Sequence, residues 1–251
     1  MCGRFGLIHS LEEILRVYSL DMGMINFQPR FNIAPSQYIL TITAQENRDE
    51  SINIASFYKW GFVPSWSKDS SVGSKMINAR AETVNEKPAF SSAFKNRRCL
   101  IPASGFYEWQ TQSNGGKQPF WISAADGGLL TFAGLWESWI SNGGDQLQTC
   151  TIITTSANNS LSNIHTRTPV IIRPDKFNTW LKGDYSSTQP SPTTTNLLRS
   201  APDGITLAWP VSRRVNNTSN DGADLIVPVD PSENNDKYKP KIYKQGKLFP
   251  F

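Results

Sequence analysis

The chain has 251 residues, of which 25 are lysine or arginine and 21 are aspartate or glutamate, and its formal net charge is +4. This length allows one large domain with a sizeable buried core, and the mild positive charge permits an anionic partner without requiring one. Three cysteines without a CxxC pair and only two histidines argue against a disulfide framework and against a His/Cys metal site. No stretch resembles a signal peptide or a membrane span, so we expect a reduced, cytoplasmic compartment and no membrane partner.

The first informative residue is Cys2, which directly follows the initiator methionine. Removal of Met1 would leave a free thiol and a free α-amine on neighbouring carbons, a 1,2-aminothiol that no internal cysteine has. The amine has a pKa of roughly 7.7–8, so part of it is neutral and nucleophilic at physiological pH. An aldehyde would be attacked by the amine and then by the sulfur, which closes a thiazolidine ring. The alternative is a frayed terminus, and in either case we expect residue 2 to contribute little to the core.

The first half of the chain is predicted to contain two short helices and several strands. Ser10 and Glu13 form a capping box, and apolar residues at helical spacing continue this helix for two turns. Pro88 stands where a second helix could begin, with Phe90 and Phe94 on one face. The segments expected to be extended are 37–44, 51–60, 76–84 and 99–109.

The second half is predicted to begin with two hairpins and to end in mixed elements. The turn sequences 113–116 and 142–145 join strands near 119–125, 129–137 and 147–155. Further predicted elements are helices near 174–182 and 193–200 and strands near 205–211 and 224–229. This order predicts an α+β fold with a largely antiparallel sheet, closed or sandwiched like a barrel, and short flanking helices. We expect one domain over residues 1–229 and a C-terminal tail over residues 230–251.

Three segments are polar where a plain strand would alternate. In the segment from Ile77 to Thr83, an extended backbone places Asn78, Arg80 and Glu82 on one face. Glu108 stands among three aromatic residues, a setting that raises the pKa of a carboxyl group towards use as a general acid. His165 is one of only two histidines and comes just before an apolar strand. Each of these residues also has an ordinary structural explanation, so their combination with Cys2 carries the functional hypothesis.

Seven motifs follow one another along the chain from residue 2 to about residue 229. They are CGRF at 2–5, RFNIAP at 30–35, WGFVPSW at 60–66, INARAET at 77–83, CLIPASGFYEW at 99–109, IHTRTP at 164–169 and PVSR at 210–213. In their combination and order the chain resembles the SOS response-associated peptidase (SRAP) family. The resemblance implies the family's fold over nearly the whole chain except the tail.

The resemblance also implies a function: recognition of abasic sites in single-stranded DNA and covalent cross-linking to them through the N-terminal cysteine. Carried over by motif, Cys2 is the nucleophile, and Asn78, Glu108 and His165 complete the catalytic site. The positions implied to contact DNA are Arg4 and Arg80 at the phosphates and Trp66 beside the strand. The implied partner is single-stranded DNA with abasic sites, bound by a monomer at the nucleoid without a metal or an organic cofactor. The chain departs from some relatives at two positions. Ser67 follows Trp66 where a second tryptophan can occur, and Pro29 precedes Arg30.

The residues leave three functions open. The first is formation of a thiazolidine cross-link with abasic sites, which needs both the amine and the thiol of Cys2. The second is a thiol peptidase, or autopeptidase that removes Met1, with Cys2 as nucleophile and His165 as base. The third is a non-catalytic reader of single-stranded DNA that uses Trp66 and the arginines alone. The presence of Cys2, Asn78, Glu108 and His165 together makes the third the least favoured, and the requirement for the α-amine distinguishes the first from the second.

Overall fold

The computed structural model describes residues 2–20, 25–46, 51–183 and 196–231. Within these ranges the helices are α1 (Leu11–Tyr18), α2 (Ser91–Asn96) and α3 (Phe177–Lys182). The strands are β1 (Phe5–Leu7), β2 (Arg30–Ile33), β3 (Tyr38–Glu46), β4 (Ser51–Trp60), β5 (Asn78–Arg80), β6 (Arg98–Ala103), β7 (Gly105–Thr111), β8 (Lys117–Ala124), β9 (Leu130–Ile140), β10 (Gln146–Ser156), β11 (Arg167–Pro169) and β12 (Thr206–Pro210). None of the helices in the described part of the chain is long and apolar enough to cross a membrane.

Five strands close into a barrel. The hydrogen-bonded order is β10, β4, β3, β6 and β9, and β9 pairs again with β10 to complete the ring. All of these pairs are antiparallel except β4 with β10. The short strands β5 and β11 also pair with β10. The prediction of an α+β fold with a largely antiparallel, closed sheet and short helices is therefore confirmed.

A second, five-stranded sheet packs against the barrel. Its order is β12, β8, β7, β1 and β2, with every pair antiparallel. Phe5 of this sheet packs edge-on against Trp60 and Phe132 of the barrel, with ring centroids 5.4 and 6.0 Å apart. Phe106 meets Phe132 in the same way at 5.8 Å. These buried rings form a common core, so the position of β1 is fixed by both sheets.

The chain passes from the barrel to the second sheet at Ser104, between β6 and β7. The single strand expected over 99–109 is thus two strands, one in each sheet. Ser104 is buried, and its hydroxyl accepts hydrogen bonds from the backbone N–H groups of Ile8 and His9 at 2.8 and 3.1 Å. This contact ties the crossing point to the end of β1, which positions the N-terminal segment.

The helix predicted from the capping box at Ser10 is confirmed. The Ser10 hydroxyl accepts from the Glu13 backbone N–H, and the Glu13 carboxylate accepts from the Ser10 backbone N–H. The helix ends at Ser19, whose backbone is left-handed with φ at 51°. The predicted hairpins also form, one joining β7 to β8 and the other joining β9 to β10.

Several predicted elements differ in the structure. The segment 224–229 is a 3₁₀ helix, Ala223–Ile226, followed by a single bridge between Val211 and Pro228, because Leu225 is buried under the second sheet instead of pairing along it. The extended segment 76–84 shortens to β5 and then turns, and the helix expected near Pro88 begins at Ser91. Part of the predicted helix 193–200 and residues 232–251 of the predicted tail lie outside the described residues.

Candidate active site

Cys2 is placed by the pairing of β1 with β7, in which Phe5 lies opposite Phe106. The expectation that residue 2 contributes little to the core is wrong, because Cys2 is fully buried and packs in the main hydrophobic cluster. Burial raises the pKa of its thiol, and the nearby Glu108 carboxylate raises it further. The backbone N–H of Arg4 donates a hydrogen bond to the thiolate form, which opposes these effects. At neutral pH the group is therefore a thiol.

Glu108 lies on β7, and only 3% of its surface is exposed. Burial is the largest cause of its altered pKa, which rises to about 7, as the surrounding aromatic residues predicted. Because its charge acts on the Cys2 thiol, the two groups belong to one site. A carboxyl group with this pKa exchanges a proton near neutral pH, which suits it to act as both acid and base.

His165 completes this group from the turn that precedes β11. Its Nε2 atom lies 4.0 Å from Oε2 of Glu108. Its Nδ1 atom lies 2.9 Å from the Arg167 backbone N–H and 3.3 Å from the Arg167 carbonyl oxygen. The shorter contact makes Nδ1 an acceptor, so the neutral ring carries its proton on Nε2, facing Glu108. Burial lowers the pKa of His165, which favours this neutral form.

Asn78 is the first residue of β5 and lies beside Ile152 of β10. Its side-chain amide donates to the Ile77 carbonyl oxygen at 2.9 Å. Its Oδ1 atom is buried and accepts no hydrogen bond within the described residues. No hydrogen bond in these ranges joins Asn78 to Cys2, Glu108 or His165, so its place in the catalytic group stays a prediction. A buried acceptor without a donor is costly, which suits a site completed by a ligand.

Arg4 points back into the protein. The same terminal nitrogen donates to Oδ1 of Asn32 at 2.8 Å and to the Val215 carbonyl oxygen at 2.6 Å. The guanidinium group also lies over the ring of Trp109, 5.8 Å from its centroid. Burial lowers the pKa of Arg4 from its usual value. These contacts anchor the residue two positions after Cys2, and its predicted contact with DNA phosphate stays a prediction.

The two other predicted DNA contacts are exposed. Arg80 is exposed at the end of β5. Trp66 is 68% exposed, the largest value among the exposed large hydrophobic side chains of the described residues. It stands in the Trp66 loop, residues 61–69, which hydrogen bonds hold on both sides of Trp66. The Val63 N–H donates to the Thr149 hydroxyl at 3.0 Å, and the Trp139 indole N–H donates to the Ser67 carbonyl oxygen at 2.7 Å.

Sequence reasoning missed the role of Arg167. Its guanidinium group donates to both carboxylate oxygens of Glu82, at 2.6 and 2.9 Å, and to the Thr154 carbonyl oxygen at 2.6 Å. Glu82 therefore does not share the β5 face with Asn78, because it lies in the turn beyond the strand and pairs with Arg167. Glu82 lies in the motif at 77–83 and Arg167 in the motif at 164–169, and this was the sequence signal for the two residues. Their pairing could not be predicted, because it joins positions far apart in the chain.

A second missed residue is Lys117, at the start of β8. Burial raises the pKa of Glu108 and lowers the pKa of His165, and the positive charge of the exposed Lys117 makes a smaller, lowering contribution to both. No local pattern could indicate this residue, because β8 comes near Glu108 through its pairing with β7. Within the described ranges there is no group of three or more His, Cys, Asp or Glu residues that could hold a metal ion.

Comparison with known proteins gives consistent matches. A family model described as SOS response associated peptidase (SRAP) matches residues 1–218. The abasic site processing protein YoaM of Bacillus subtilis is 41% identical over 90% of this chain and 97% of its own length. The corresponding YedK of Escherichia coli is 31% identical over 91% of this chain and 100% of its length. A crystal structure of a Bacteroides thetaiotaomicron protein has the same fold, with a TM-score of 0.76, 20% identity, and coverage of 91% of this chain and 100% of that one.

Proposed function

Because the chain belongs to the SOS response associated peptidase family, we propose that it processes abasic sites in DNA by forming a covalent cross-link through Cys2. The relatives at 31–41% identity that are named abasic site processing proteins support the substrate class. The single observation that carries the chemistry is the buried group of Cys2 and Glu108, with His165 4.0 Å from the Glu108 carboxylate. The substrate in this proposal is single-stranded DNA, in which the sugar is accessible without unpairing a duplex.

The reaction begins with opening of the abasic sugar, which exists mostly as a closed hemiacetal. The Glu108 carboxylate accepts the proton of the C1′ hydroxyl and returns it to the ring oxygen, to which the Nε2–H of His165 donates a hydrogen bond, and this releases the C1′ aldehyde. The α-amine of Cys2, freed by removal of Met1, then attacks the aldehyde carbon. Loss of one water molecule gives an iminium ion, with Glu108 in its protonated form as the proton donor to the departing hydroxyl.

The thiol completes the cross-link. The sulfur of Cys2 adds to the iminium carbon, its proton passes to the Glu108 carboxylate, and a five-membered thiazolidine ring results. The overall change is aldehyde plus aminothiol giving thiazolidine plus water, so no oxidant or reductant is needed. A thiol that is protonated at neutral pH requires such a base, and Glu108 lies near enough to act on its pKa. Asn78, with its unpaired Oδ1, is the proposed partner of the amine or of a sugar hydroxyl.

The peptidase hypothesis is the second candidate. It would require His165 to activate the Cys2 thiol, as in a conventional Cys–His pair. Burial and the charge of Glu108 raise the pKa of Cys2, and the positive charge of the chain's α-amine only partly opposes them, so Cys2 is a thiol and not the thiolate of such a pair. The arrangement therefore favours carboxylate-assisted chemistry over a thiolate–imidazolium pair. A non-catalytic reader would need neither the buried Cys2 nor a carboxyl group with a pKa near 7.

The test is denaturing electrophoresis and intact mass spectrometry of the protein with single-stranded DNA that contains one abasic site. We expect one adduct with the mass of protein plus DNA minus one water, and no adduct with DNA that carries an intact base. Cys2→Ser should give only an adduct that borohydride must trap, because it keeps the amine and lacks the sulfur. Protein that retains Met1 should give no adduct. An equal yield from that form would replace the thiazolidine with simple thiol attack, and no adduct from the processed protein would refute the proposal.

A further inference from the structure

A surface outside the site described above combines two exposed aromatic side chains with a lysine. Tyr38 and Lys59 lie directly opposite each other on β3 and β4, and Phe57 precedes Lys59 by two residues, so all three lie on one face of the barrel. Tyr38 is 57% exposed and Phe57 is 41% exposed. Ile39 and Tyr58 occupy the opposite face of these strands and are buried. We call Tyr38, Phe57 and Lys59 the β3–β4 surface.

A polar cavity adjoins this surface. It has a volume of about 240 Å³ and lies between the end of β4 and the 3₁₀ helix Ser70–Lys75. Lys59 forms part of its wall, and the serines that line it are Ser36, Ser70, Ser71 and Ser74. No carboxylate residue is among the lining residues, and none of the ion pairs between described residues includes Lys59. The cavity therefore offers hydroxyl groups and a positive charge without a negative one.

The two walls of the cavity are held close by glycine. Gly61 has φ at +140°, and a Cβ atom there would lie 2.7 Å from the Gly73 carbonyl oxygen. A side chain at either glycine would force the walls apart. The same walls include Gly61 and Val63, which belong to the Trp66 loop. The cavity and the β3–β4 surface are thus continuous with the loop that presents Trp66.

We propose that the β3–β4 surface and its cavity form a second binding region for the single-stranded DNA that enters the Cys2 site. Lys59 and the serine hydroxyls bind a backbone phosphate, and the rings of Tyr38 and Phe57 stack on bases. The proposal rests on the function given above, since it takes the strand past Trp66 to the outer face of the barrel. It is supported by charge complementarity and by continuity with Trp66, because cations with interleaved aromatic rings bind single strands of any sequence.

The experiment measures equilibrium binding of two labelled single strands, one of about 6 and one of about 20 nucleotides, each with a central tetrahydrofuran abasic analogue that cannot react. The short strand fills the Cys2 site alone, and the long strand also reaches the second region. We expect Lys59→Ala, Tyr38→Ala and Phe57→Ala each to weaken binding of the long strand by about five- to tenfold and to leave the short strand unchanged. Lys59→Ala should also reduce the salt slope for the long strand by about 0.7, whereas Tyr38→Ala should not.

The matched controls are an exposed lysine and an exposed apolar residue elsewhere, Lys176→Ala and Leu207→Ala, which should bind both strands like the unchanged protein. Lys59→Gln repeats the test with the side-chain stem retained if Lys59→Ala lowers the unfolding temperature. Equal weakening on both strands, or an unchanged salt slope in both Lys59 variants, would overturn the second region. Failure of the unchanged protein to cross-link a short strand with a natural abasic site would instead refute the proposed function.

Discussion

Glu108 shows how burial sets the chemistry of a single residue. Its pKa in the folded protein, about 7, lies above the ordinary value of 4.5 because water is excluded from the carboxyl group. The protonated carboxyl group contributes its full share to the free energy of unfolding at pH values below its pKa in the unfolded chain. This contribution is lost as the pH rises through its pKa in the folded protein. Between about pH 4.5 and pH 7 the folded protein keeps this group protonated while the unfolded chain ionises, so the free energy of unfolding falls progressively.

The first prediction concerns Glu108→Gln, which removes that charge and keeps the shape. Urea unfolding should show similar stability near pH 4, with the variant gaining progressively towards pH 8, by at most about 3 kcal/mol. The cross-linking rate should fall by about 100-fold or more, because the proton acceptor is lost. A stability difference that does not change with pH would contradict the assignment of the raised pKa to Glu108.

The second prediction at this scale follows from the complete burial of Cys2. Cys2→Ala removes one buried heavy atom and should lower the free energy of unfolding by about 1 kcal/mol, in addition to abolishing cross-linking. Cys2→Ser keeps the volume but buries a hydroxyl group, so it should also be less stable than the unchanged protein. Urea denaturation of protein with mass-verified removal of Met1 measures both effects. Unchanged stability in both variants would mean that residue 2 does not pack in the core.

At the level of single elements, the Trp66 loop is held by contacts outside itself. The Trp139 indole N–H donates one of the hydrogen bonds that hold the loop, to the Ser67 carbonyl oxygen. Trp139→Phe keeps a buried ring and removes that donor, so we expect a loss of about 1 kcal/mol in the free energy of unfolding and about fivefold weaker binding of single-stranded DNA.

Trp66→Ala should weaken binding of single-stranded DNA by about 1–3 kcal/mol, because a base loses the ring on which it stacks.

Combining the two variants gives the control. If Trp139 acts by positioning Trp66, Trp139→Phe should have no further effect on DNA affinity in the Trp66→Ala background, as a double-mutant cycle shows. Additive losses would mean that Trp139 acts on binding independently of Trp66. The unfolding temperature of each variant separates the loss of the loop contact from a general loss of structure.

The elements that were predicted correctly are those determined by local sequence. The capping box of Ser10 and Glu13 acts within one helical turn, and the glycine-containing turns at 113–116 and 142–145 act within four residues. The burial of Cys2 arises from pairing with a strand about a hundred residues away, so no local pattern could reveal it. The same holds for the pair of Glu82 with Arg167, and for the segment 224–229, where burial of one leucine replaced strand pairing.

On the scale of the whole molecule, the candidate site lies where the two sheets meet. Cys2 precedes β1 and Glu108 lies on β7 of the second sheet, whereas Asn78 begins β5 and His165 precedes β11, two short strands that pair with β10 of the barrel. The common aromatic core joins the sheets, so we expect them to unfold together. The raised pKa of Glu108 is then a property of the assembled protein, and neither sheet alone would produce it.

The prediction at this scale is that cross-linking activity and structure are lost in a single step. Urea titrations followed by tryptophan fluorescence and by the initial rate of cross-linking should give the same midpoint. Coincidence of different probes is the expected behaviour of one cooperative unit. An activity midpoint well below the fluorescence midpoint would show that the N-terminal segment separates from the barrel before the rest unfolds.

Burial of Cys2 also has a consequence for oxidative stress, under which DNA bases are lost. Peroxide reacts with thiolates that are exposed to solvent, and Cys2 is fully buried with a pKa raised by burial. The nucleophile is therefore preserved as a thiol under conditions that would convert an exposed, acidic cysteine to a sulfenic acid. In the proposed reaction the Glu108 carboxylate takes the thiol proton as the sulfur adds to the iminium carbon, so the sulfur becomes reactive only after the substrate has bound.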